Sequence, residues 1–266
     1  MLDFGQQPIC NPGESLMLRK LLVPLMLVLT ALGYSGMTNA ETPMTVLVTG
    51  ANRGIGLELA RQLRAQGHQV IGTTRNVQDA AELKETGAMV VQLDVADSNS
   101  VRAMAKELEG QKIDLLINNA GISGHNAGSF AETDFDQLGT IFDVNSLGPM
   151  RVTQALLPNL LAGNGKTVVQ ISSVMGSIAN NSGGYYGYRA SKTALNMLNK
   201  SLALELADMG ITCMVLHPGW VQTRMGGAEA AITPQVSVSG MMQVIADLSP
   251  EDSGRFLDYQ GNELPW

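Results

Sequence analysis

From Thr45 onward, short runs rich in β-branched residues alternate with longer stretches in which apolar residues recur at helical spacing. Ile55, Leu59 and Leu63 form one such helical series. Strands that alternate with helices in this way form a parallel sheet, because each parallel pair needs a crossover connection. We therefore predict an α/β fold with one doubly wound parallel sheet and helices on both faces. The predicted strands are Thr45–Thr49, Gln69–Thr74, Ala88–Leu93, Ile113–Ile117, Lys166–Ser172, Ile211–His217 and Arg255–Tyr259.

The chain from residue 44 to residue 266 is expected to form one domain. No Ser/Pro-rich or charge-rich linker divides it, and α/β folds of about 250 residues commonly form a single unit. The whole chain has 17 basic and 24 acidic residues, a net charge of -7, and neither sign gathers into a block. Because nucleic-acid backbones require a concentrated positive face, we do not expect nucleic acid as a partner.

Residues 1–40 are predicted to form a separate N-terminal leader. Arg19 and Lys20 precede an apolar run that ends at Leu32, and small residues then lead up to Ala40. This order is typical of a secretory signal peptide that starts at Met17, with residues 1–16 as a product of start-site assignment. The apolar run is shorter than the roughly 20 residues that a membrane-spanning helix needs.

Two compartments stay open at this point. A genuine leader predicts an exported or periplasmic protein, whereas translation from Met44, just before the first strand, predicts a cytoplasmic one. The cysteines do not decide between them, because Cys10 lies in the leader and Cys213 lies in an apolar run, where a buried free thiol is expected.

A glycine-rich turn follows the first predicted strand and opens the first helix. It reads Thr49-Gly50-Ala51-Asn52-Arg53-Gly54-Ile55-Gly56. Glycines allow a tight turn and a close approach to phosphates, and the free N–H groups of a helix N-terminus suit a pyrophosphate. The pattern therefore predicts a dinucleotide site, with a purely structural turn as the alternative.

The end of the second predicted strand indicates which dinucleotide is preferred. A carboxylate in this region would accept the ribose hydroxyls of NAD, but the chain reads Thr73-Thr74-Arg75-Asn76. Arg53 and Arg75 are placed to meet a 2′-phosphate through charge-assisted hydrogen bonds. NADP(H) is accordingly favoured over NAD(H), unless both arginines are merely solvated surface charges.

Three further features indicate a catalytic site. Tyr188 and Lys192 stand four residues apart, which places the phenol and the ammonium on one helix face. Ser172 and Ser173 follow a predicted strand at the carboxyl edge of the sheet, where loop-capping serines are the alternative interpretation. Asn145 continues an apolar helical series and is expected to point inward, where its amide needs partners; a core amide that stabilises a kink near Gly148-Pro149 is the alternative.

Together these residues resemble the short-chain dehydrogenase/reductase family over the span from Thr45 to Trp266. The family's Asn-Asn-Ala-Gly motif occurs as residues 118–121, its Asp as Asp94 and its Pro-Gly as residues 218–219. Residues 183–192 and 217–227 are further similar to the branch that contains C-factor and sniffer-like carbonyl reductases.

The resemblance implies a Rossmann-type fold and a catalytic tetrad of Asn145, Ser173, Tyr188 and Lys192. Ser172 remains the alternative to Ser173, since Ser173 lies further from Tyr188 than is usual for the family. No metal is expected. The residues that the resemblance assigns to cofactor binding are Gly50, Asn52, Arg53, Gly54, Ile55, Gly56, Arg75, Asp94, Val95, Asn119, Ala120, Gly121, Tyr188, Lys192, Pro218, Gly219, Val221 and Thr223.

The activity implied is an NADP(H)-dependent oxidoreductase that interconverts a carbonyl and an alcohol. Tyr188 would be the general acid/base, Lys192 would lower its pKa, and Asn145 would hold a water that links Lys192 to solvent. A small carbonyl or alcohol substrate would enter between the loop after Gly121 and a mobile segment, residues 220–231. A homodimer or homotetramer is also implied. The alternative is an NADP-binding signalling or regulatory protein of the C-factor type, with little or no catalysis.

Overall fold

Seven parallel strands form one sheet in the order β3-β2-β1-β4-β5-β6-β7. This computed structural model describes residues 42–124 and 130–266, and the predicted leader, residues 1–40, lies outside them. The strands are β1 Thr45–Val48, β2 Gln69–Thr74, β3 Met89–Gln92, β4 Leu115–Asn118, β5 Thr167–Ile171, β6 Thr212–His217 and β7 Phe256–Asp258.

Eight α-helices connect or follow these strands in the part of the chain that the structure describes. None of its helices combines the length and apolarity needed to cross a membrane. The helices are α1 Gly54–Ala65, α2 Ala81–Glu85, α3 Ser98–Glu107, α4 Phe135–Phe142, α5 Gly148–Ala155, α6 Leu157–Ala162, α7 Tyr186–Leu206 and α8 Pro234–Ala246. Short 3₁₀ turns lie at Phe130–Glu132, Val174–Gly176, Ala207–Met209 and Pro250–Asp252.

An apolar layer covers each face of the sheet. On one face, side chains of α1, α2 and α8, such as Leu59, Leu83 and Met241, pack against the strands. On the other face, α3, α5, α6 and α7 contribute residues such as Met104 and Val152. The predicted doubly wound parallel sheet with helices on both faces is confirmed.

The strand order reverses between β1 and β4, which are neighbours although β2 and β3 lie between them in sequence. In open α/β sheets, ligands bind beyond the carboxyl ends of the strands at such a switch point. The glycine turn after β1 and the residues after β4 therefore meet at the edge where a ligand is expected.

One element departs from the regular helices that the sequence predicts. Residues Asp143–Leu147 form a π-helical turn between α4 and α5. Pro149 has no N–H to offer the Asn145 carbonyl four residues earlier, so the α-helical hydrogen-bond pattern is interrupted here. The Gly148 N–H instead bonds to the Asp143 carbonyl, five residues back.

Candidate active site

The glycine turn is fastened to the end of β4 by side-chain hydrogen bonds. The Thr49 hydroxyl accepts from the N–H groups of Asn119 and Ala120, each at 3.0 Å. The Asn119 amide donates to the carbonyl oxygens of Thr49 at 2.9 Å and Gly50 at 3.2 Å. The side chain of Asn119 therefore shapes the turn, which leaves other atoms of this motif for contact with a ligand.

Two glycines of this turn have backbone or packing requirements that other residues do not meet. Gly50 has φ of +64°, and a Cβ there would lie 3.0 Å from the Ala120 Cα. A Cβ on Gly56 would run into the Gly50 carbonyl and lie 2.5 Å from the Asn119 amide nitrogen. The turn is thus a close-packed backbone cradle of the kind that phosphates approach.

Helix α1 begins in this cradle without a side-chain cap. Its N-cap residue, Arg53, is extended and its side chain makes no capping hydrogen bond, whereas Asp97, Asp134 and Thr233 cap α3, α4 and α8. The first N–H groups of α1 remain available to an anion. Asn52 is half-buried in the turn, and the side chain of Ile55 packs against the core.

Arginines surround the mouth of the cradle. Partial burial, followed by the charges of Arg224 and Arg75, lowers the pKa of Arg53. Within residues 42–124 and 130–266, the guanidinium groups of these three residues form no ion pair. A backbone cradle next to unpaired cations fits a dinucleotide that carries an extra phosphate.

Tyr188, Ser173 and Lys192 converge at the carboxyl end of β5. Ser173 lies close enough to the Tyr188 phenol to lower its pKa as a hydrogen-bond partner. The Lys192 ammonium lies 5.9 Å from the centre of the Tyr188 ring and donates to the Ile171 carbonyl at 2.8 Å. The spacing of Tyr188 and Lys192 on one helix face does bring the two groups together.

Burial shifts the pKa values of both Tyr188 and Lys192. Burial raises the pKa of Tyr188, and the hydrogen bond with Ser173 opposes that rise without cancelling it. Burial also lowers the pKa of Lys192 to about 8. The expectation that Lys192, together with an oxidised nicotinamide, lowers the pKa of Tyr188 stays a prediction; the ammonium bonds to the Ile171 carbonyl and lies 5.9 Å from the centre of the Tyr188 ring.

The structure separates the roles of the two adjacent serines. Ser172 is buried, and its hydroxyl donates to the Asn196 side-chain oxygen at 2.7 Å. Ser173 is 9% exposed, accepts from the Met175 N–H at 3.1 Å and lies close to the Tyr188 phenol. Ser173 is therefore the serine that faces the candidate catalytic tyrosine.

Asn145 is fully buried in the π-helical turn, and its amide makes three hydrogen bonds to two residues. Its side-chain oxygen accepts from the Ile122 N–H at 2.8 Å, and its nitrogen donates to the Ile122 carbonyl at 2.8 Å and to Ser191 at 3.1 Å. These bonds join the segment after β4 to helix α7. Asn145 thus positions two walls of the site, and its water-holding role stays a prediction.

Ser191 is a positioning residue that the sequence patterns did not reveal. Its hydroxyl donates to the Tyr188 carbonyl at 2.8 Å, and its own carbonyl accepts from the Ser146 hydroxyl at 2.8 Å. A serine inside a helix gives no periodic signal, so only the fold shows that it connects the π-helical turn to the helical turn that carries Tyr188 and Lys192.

The remaining predicted cofactor residues line the same edge of the sheet. Asp94 accepts from the Ala96 N–H at 3.0 Å, and buried Val95 packs against Gly148. The Pro218 carbonyl accepts from Ser237 at 2.6 Å, while Gly219 has φ of +82°. Buried Val221 pairs with Ile232, and Thr223 lies beside Gly54, with its methyl carbon 3.5 Å from where a Cβ on that glycine would be.

A narrow cavity borders Tyr188. Its lining includes Asp134, Leu138, Ile141 and Tyr186. A larger cavity of about 1000 Å³ lies between α1, α8 and β7 and contains none of the predicted site residues. We assign the chemistry to the smaller cavity, because Tyr188 lines it and none of the predicted site residues lines the larger one.

The buried Lys192 gives a testable dependence of stability on pH. Its lowered pKa means that the unfolded chain holds more protons than the folded one between pH 8 and 10.5, so this residue's contribution to stability rises with pH across that window. Lys192→Met removes the effect. Measured by urea unfolding, the stability of the variant relative to the wild type should fall by roughly 3 kcal/mol from pH 7 to pH 10.5. Exposed Lys106→Met is the matched control, and parallel profiles for wild type and Lys192→Met would contradict the assignment.

Comparisons with known proteins agree with this geometry. Residues 44–232 match the family described as short chain dehydrogenase. C-signal of Myxococcus xanthus is 47% identical over 167 residues, which are 62% of this chain and 100% of that protein. Carbonyl reductase Sniffer of D. melanogaster has 31% identity and a TM-score of 0.80, covering 85% of this chain and 100% of that one.

The NADPH-bound carbonyl reductase from chicken fatty liver has 35% identity and a TM-score of 0.78, covering 84% of this chain and 99% of that one. The family match spans most of the residues that the structure describes and includes the glycine turn, Tyr188 and Lys192. The chain belongs to the short-chain dehydrogenase/reductase family of oxidoreductases, in the branch of C-factor and the sniffer-like carbonyl reductases.

Proposed function

We propose that this protein is an NADP(H)-dependent carbonyl reductase in which Tyr188 is the general acid/base. The observation that carries the proposal is the placement of Tyr188 beside a cavity, with Ser173 close enough to act on its phenol and Lys192 buried next to its ring. Two hydroxyl groups that point at one site can both donate to the oxygen of a bound carbonyl.

A bound nicotinamide would supply the hydride that reduces the carbonyl carbon. As the carbonyl oxygen becomes negative, the hydroxyls of Ser173 and Tyr188 stabilise it by hydrogen bonding, and Tyr188 then gives up its proton. The raised pKa of Tyr188 keeps the phenol protonated at neutral pH, which suits a proton donor.

Lys192 is placed to support this reaction in two ways. With a pKa of about 8 it is charged in most molecules at neutral pH, and a cation close to the phenol stabilises the negative charge that proton donation leaves behind. Its Nζ also lies near Gly121, since a Cβ on that glycine would be 3.7 Å from the ammonium nitrogen. We propose that it additionally hydrogen-bonds the nicotinamide ribose.

The preference for NADP(H) is proposed from the unpaired arginines at the cradle and is supported by the NADPH-bound chicken relative. Arg75→Ala should raise the Kd for NADPH about tenfold and change the Kd for NADH less than about twofold, because only NADPH has a 2′-phosphate for it to bind. Cofactor fluorescence titration measures both constants, with exposed Arg102→Ala on α3 as the control. An equal loss for both cofactors would remove Arg75 from the 2′-phosphate site.

The decisive test of activity is oxidation of NADPH by purified protein with a panel of small and medium apolar aldehydes and ketones. Turnover of at least one carbonyl supports the proposal. Binding of NADPH without oxidation across the panel would support the signalling alternative instead. That alternative is not favoured, since the carbonyl reductase relatives cover more of this chain than C-signal does.

We also propose that the protein assembles as a homodimer or homotetramer. Met197 and Leu204 lie seven residues apart on one face of α7 and are 68% and 72% exposed, which is an unusual position for large apolar side chains. Light scattering during size-exclusion chromatography gives the oligomeric state directly.

N-terminal sequencing of the native protein, combined with cell fractionation, distinguishes export after cleavage at Ala40 from a cytoplasmic protein that starts at Met44.

A further inference from the structure

The segment that follows β6, residues 220–232, folds back on itself through hydrogen bonds. The Gln222 N–H donates to the Ile232 carbonyl at 2.8 Å, and the Ile232 N–H donates to the Trp220 carbonyl at 3.1 Å. At its tip, the Thr223 hydroxyl accepts from the Gly226 N–H at 3.1 Å, and the Trp220 ring nitrogen donates to the Gly226 carbonyl at 2.8 Å. The tip is thus a built turn with a defined position.

This turn sits against the glycine cradle. The methyl carbon of Thr223 lies 3.5 Å from where a Cβ on Gly54 would be, and Gly54 is the first residue of α1. Arg224 is the next residue in the turn and is exposed. Its backbone therefore lies within one residue of a contact with the N-terminus of α1.

The charge around Arg224 is unbalanced. Among the residues that the structure describes, its guanidinium forms no ion pair, and neither do those of Arg53 and Arg75. Of the two neighbouring charges that lower the pKa of Arg53, that of Arg224 has the larger effect. Like charges repel, so the binding of an anion between these arginines relieves their mutual repulsion.

The positions of Arg75 and Arg224 indicate that they contact different parts of a bound dinucleotide. Arg75 follows β2, where the adenosine ribose of a dinucleotide lies in such folds, whereas the free N–H groups of α1 face the pyrophosphate. Arg224 follows Thr223, which lies beside Gly54 at that helix N-terminus. We propose that Arg224 is a phosphate-binding residue that holds the dinucleotide pyrophosphate together with the N-terminus of α1.

This inference rests on the proposed function, because it requires a dinucleotide in the glycine cradle. It assigns the segment of residues 220–232 a role in retaining the cofactor in addition to bordering the substrate. The guanidinium supplies two parallel donors, which suit the paired oxygens of a phosphate better than a lysine does. Arg224→Lys should accordingly restore only part of the binding that Arg224→Gln loses.

The test compares four ligands by isothermal titration. NADPH, NADH and ADP all contain a pyrophosphate, whereas adenosine 2′-monophosphate contains only the 2′-phosphate. Arg224→Gln should raise the Kd of the first three by a similar factor, about tenfold, and leave that of the fourth within about twofold. Arg75→Ala should instead raise the Kd of NADPH and of adenosine 2′-monophosphate and leave those of NADH and ADP within about twofold. Met225→Gln, the exposed neighbour in the same turn, controls for disturbance of the loop.

Each outcome separates this inference from the proposed function. Wild-type protein that binds neither NADPH nor ADP would remove the proposed cofactor site itself. Wild-type binding that is unchanged in Arg224→Gln would overturn only the role of Arg224. A loss confined to NADPH and adenosine 2′-monophosphate would place Arg224 at the 2′-phosphate and would also overturn the proposal.

Discussion

Tyr188→Phe is expected to lower kcat for carbonyl reduction by about 10³-fold or more while the Kd for NADPH changes less than about twofold. The substitution removes only the phenolic oxygen, which is both the proton donor and one of two hydrogen bonds to the developing negative charge. The ring keeps its packing beside the substrate cavity. Stopped-flow or steady-state rates with the best carbonyl of the panel, together with a fluorescence titration of NADPH, give both quantities.

Tyr185→Phe is the matched control for that experiment. Tyr185 precedes α7, is 46% exposed, and no hydrogen bond of its hydroxyl is seen among residues 42–124 and 130–266. Its variant should retain wild-type kcat. Substantial turnover in Tyr188→Phe would reject Tyr188 as the acid, whereas equal losses in both variants would indicate a general disturbance of this end of α7.

Periodicity and strand-end position account for most of what could be predicted from sequence. The predicted bounds of the seven strands agree with the structure to within a few residues. A β-branched run that lies between two helical series is identified as a strand by its composition and its position. Their order then brings the glycine turn and the residues after β4 and β5 to one edge. The Tyr188-Lys192 pair follows from its helical spacing, whereas residues 118–121 are indicated only by the family resemblance.

Other features depend on contacts between segments that are distant in sequence. The pKa of Lys192 is set by its burial, and its ammonium is held by the Ile171 carbonyl, a backbone partner that no side-chain pattern encodes. Arg224 comes close to the glycine cradle only because the segment after β6 folds onto the N-terminus of α1. No sequence pattern indicates Ser191 either, although its hydroxyl connects Asn145 to the backbone of Tyr188.

The second large effect on kcat is expected from substitution of Ser173, one of the two adjacent serines. Ser173→Ala should lower kcat about 10²-fold with little change in NADPH binding, because it removes one donor to the developing oxyanion. It also removes the hydrogen bond to the Met175 N–H, a cap whose loss costs about 1 kcal/mol of stability. The kinetic loss should therefore be large and the loss of unfolding free energy small.

Ser172→Ala should give the opposite pattern. Its hydroxyl donates to the buried side-chain oxygen of Asn196, whose nitrogen donates in turn to the Gly176 carbonyl, in the turn that follows Ser173. Removing the donor leaves a buried acceptor unsatisfied, so the free energy of unfolding should fall by about 1 to 3 kcal/mol. Because Ser172 does not face Tyr188, kcat should fall only a few-fold, through looser positioning of Ser173. Chemical denaturation and steady-state kinetics on both variants separate the two roles, and a kcat loss larger in Ser172→Ala than in Ser173→Ala would make Ser172 the catalytic serine.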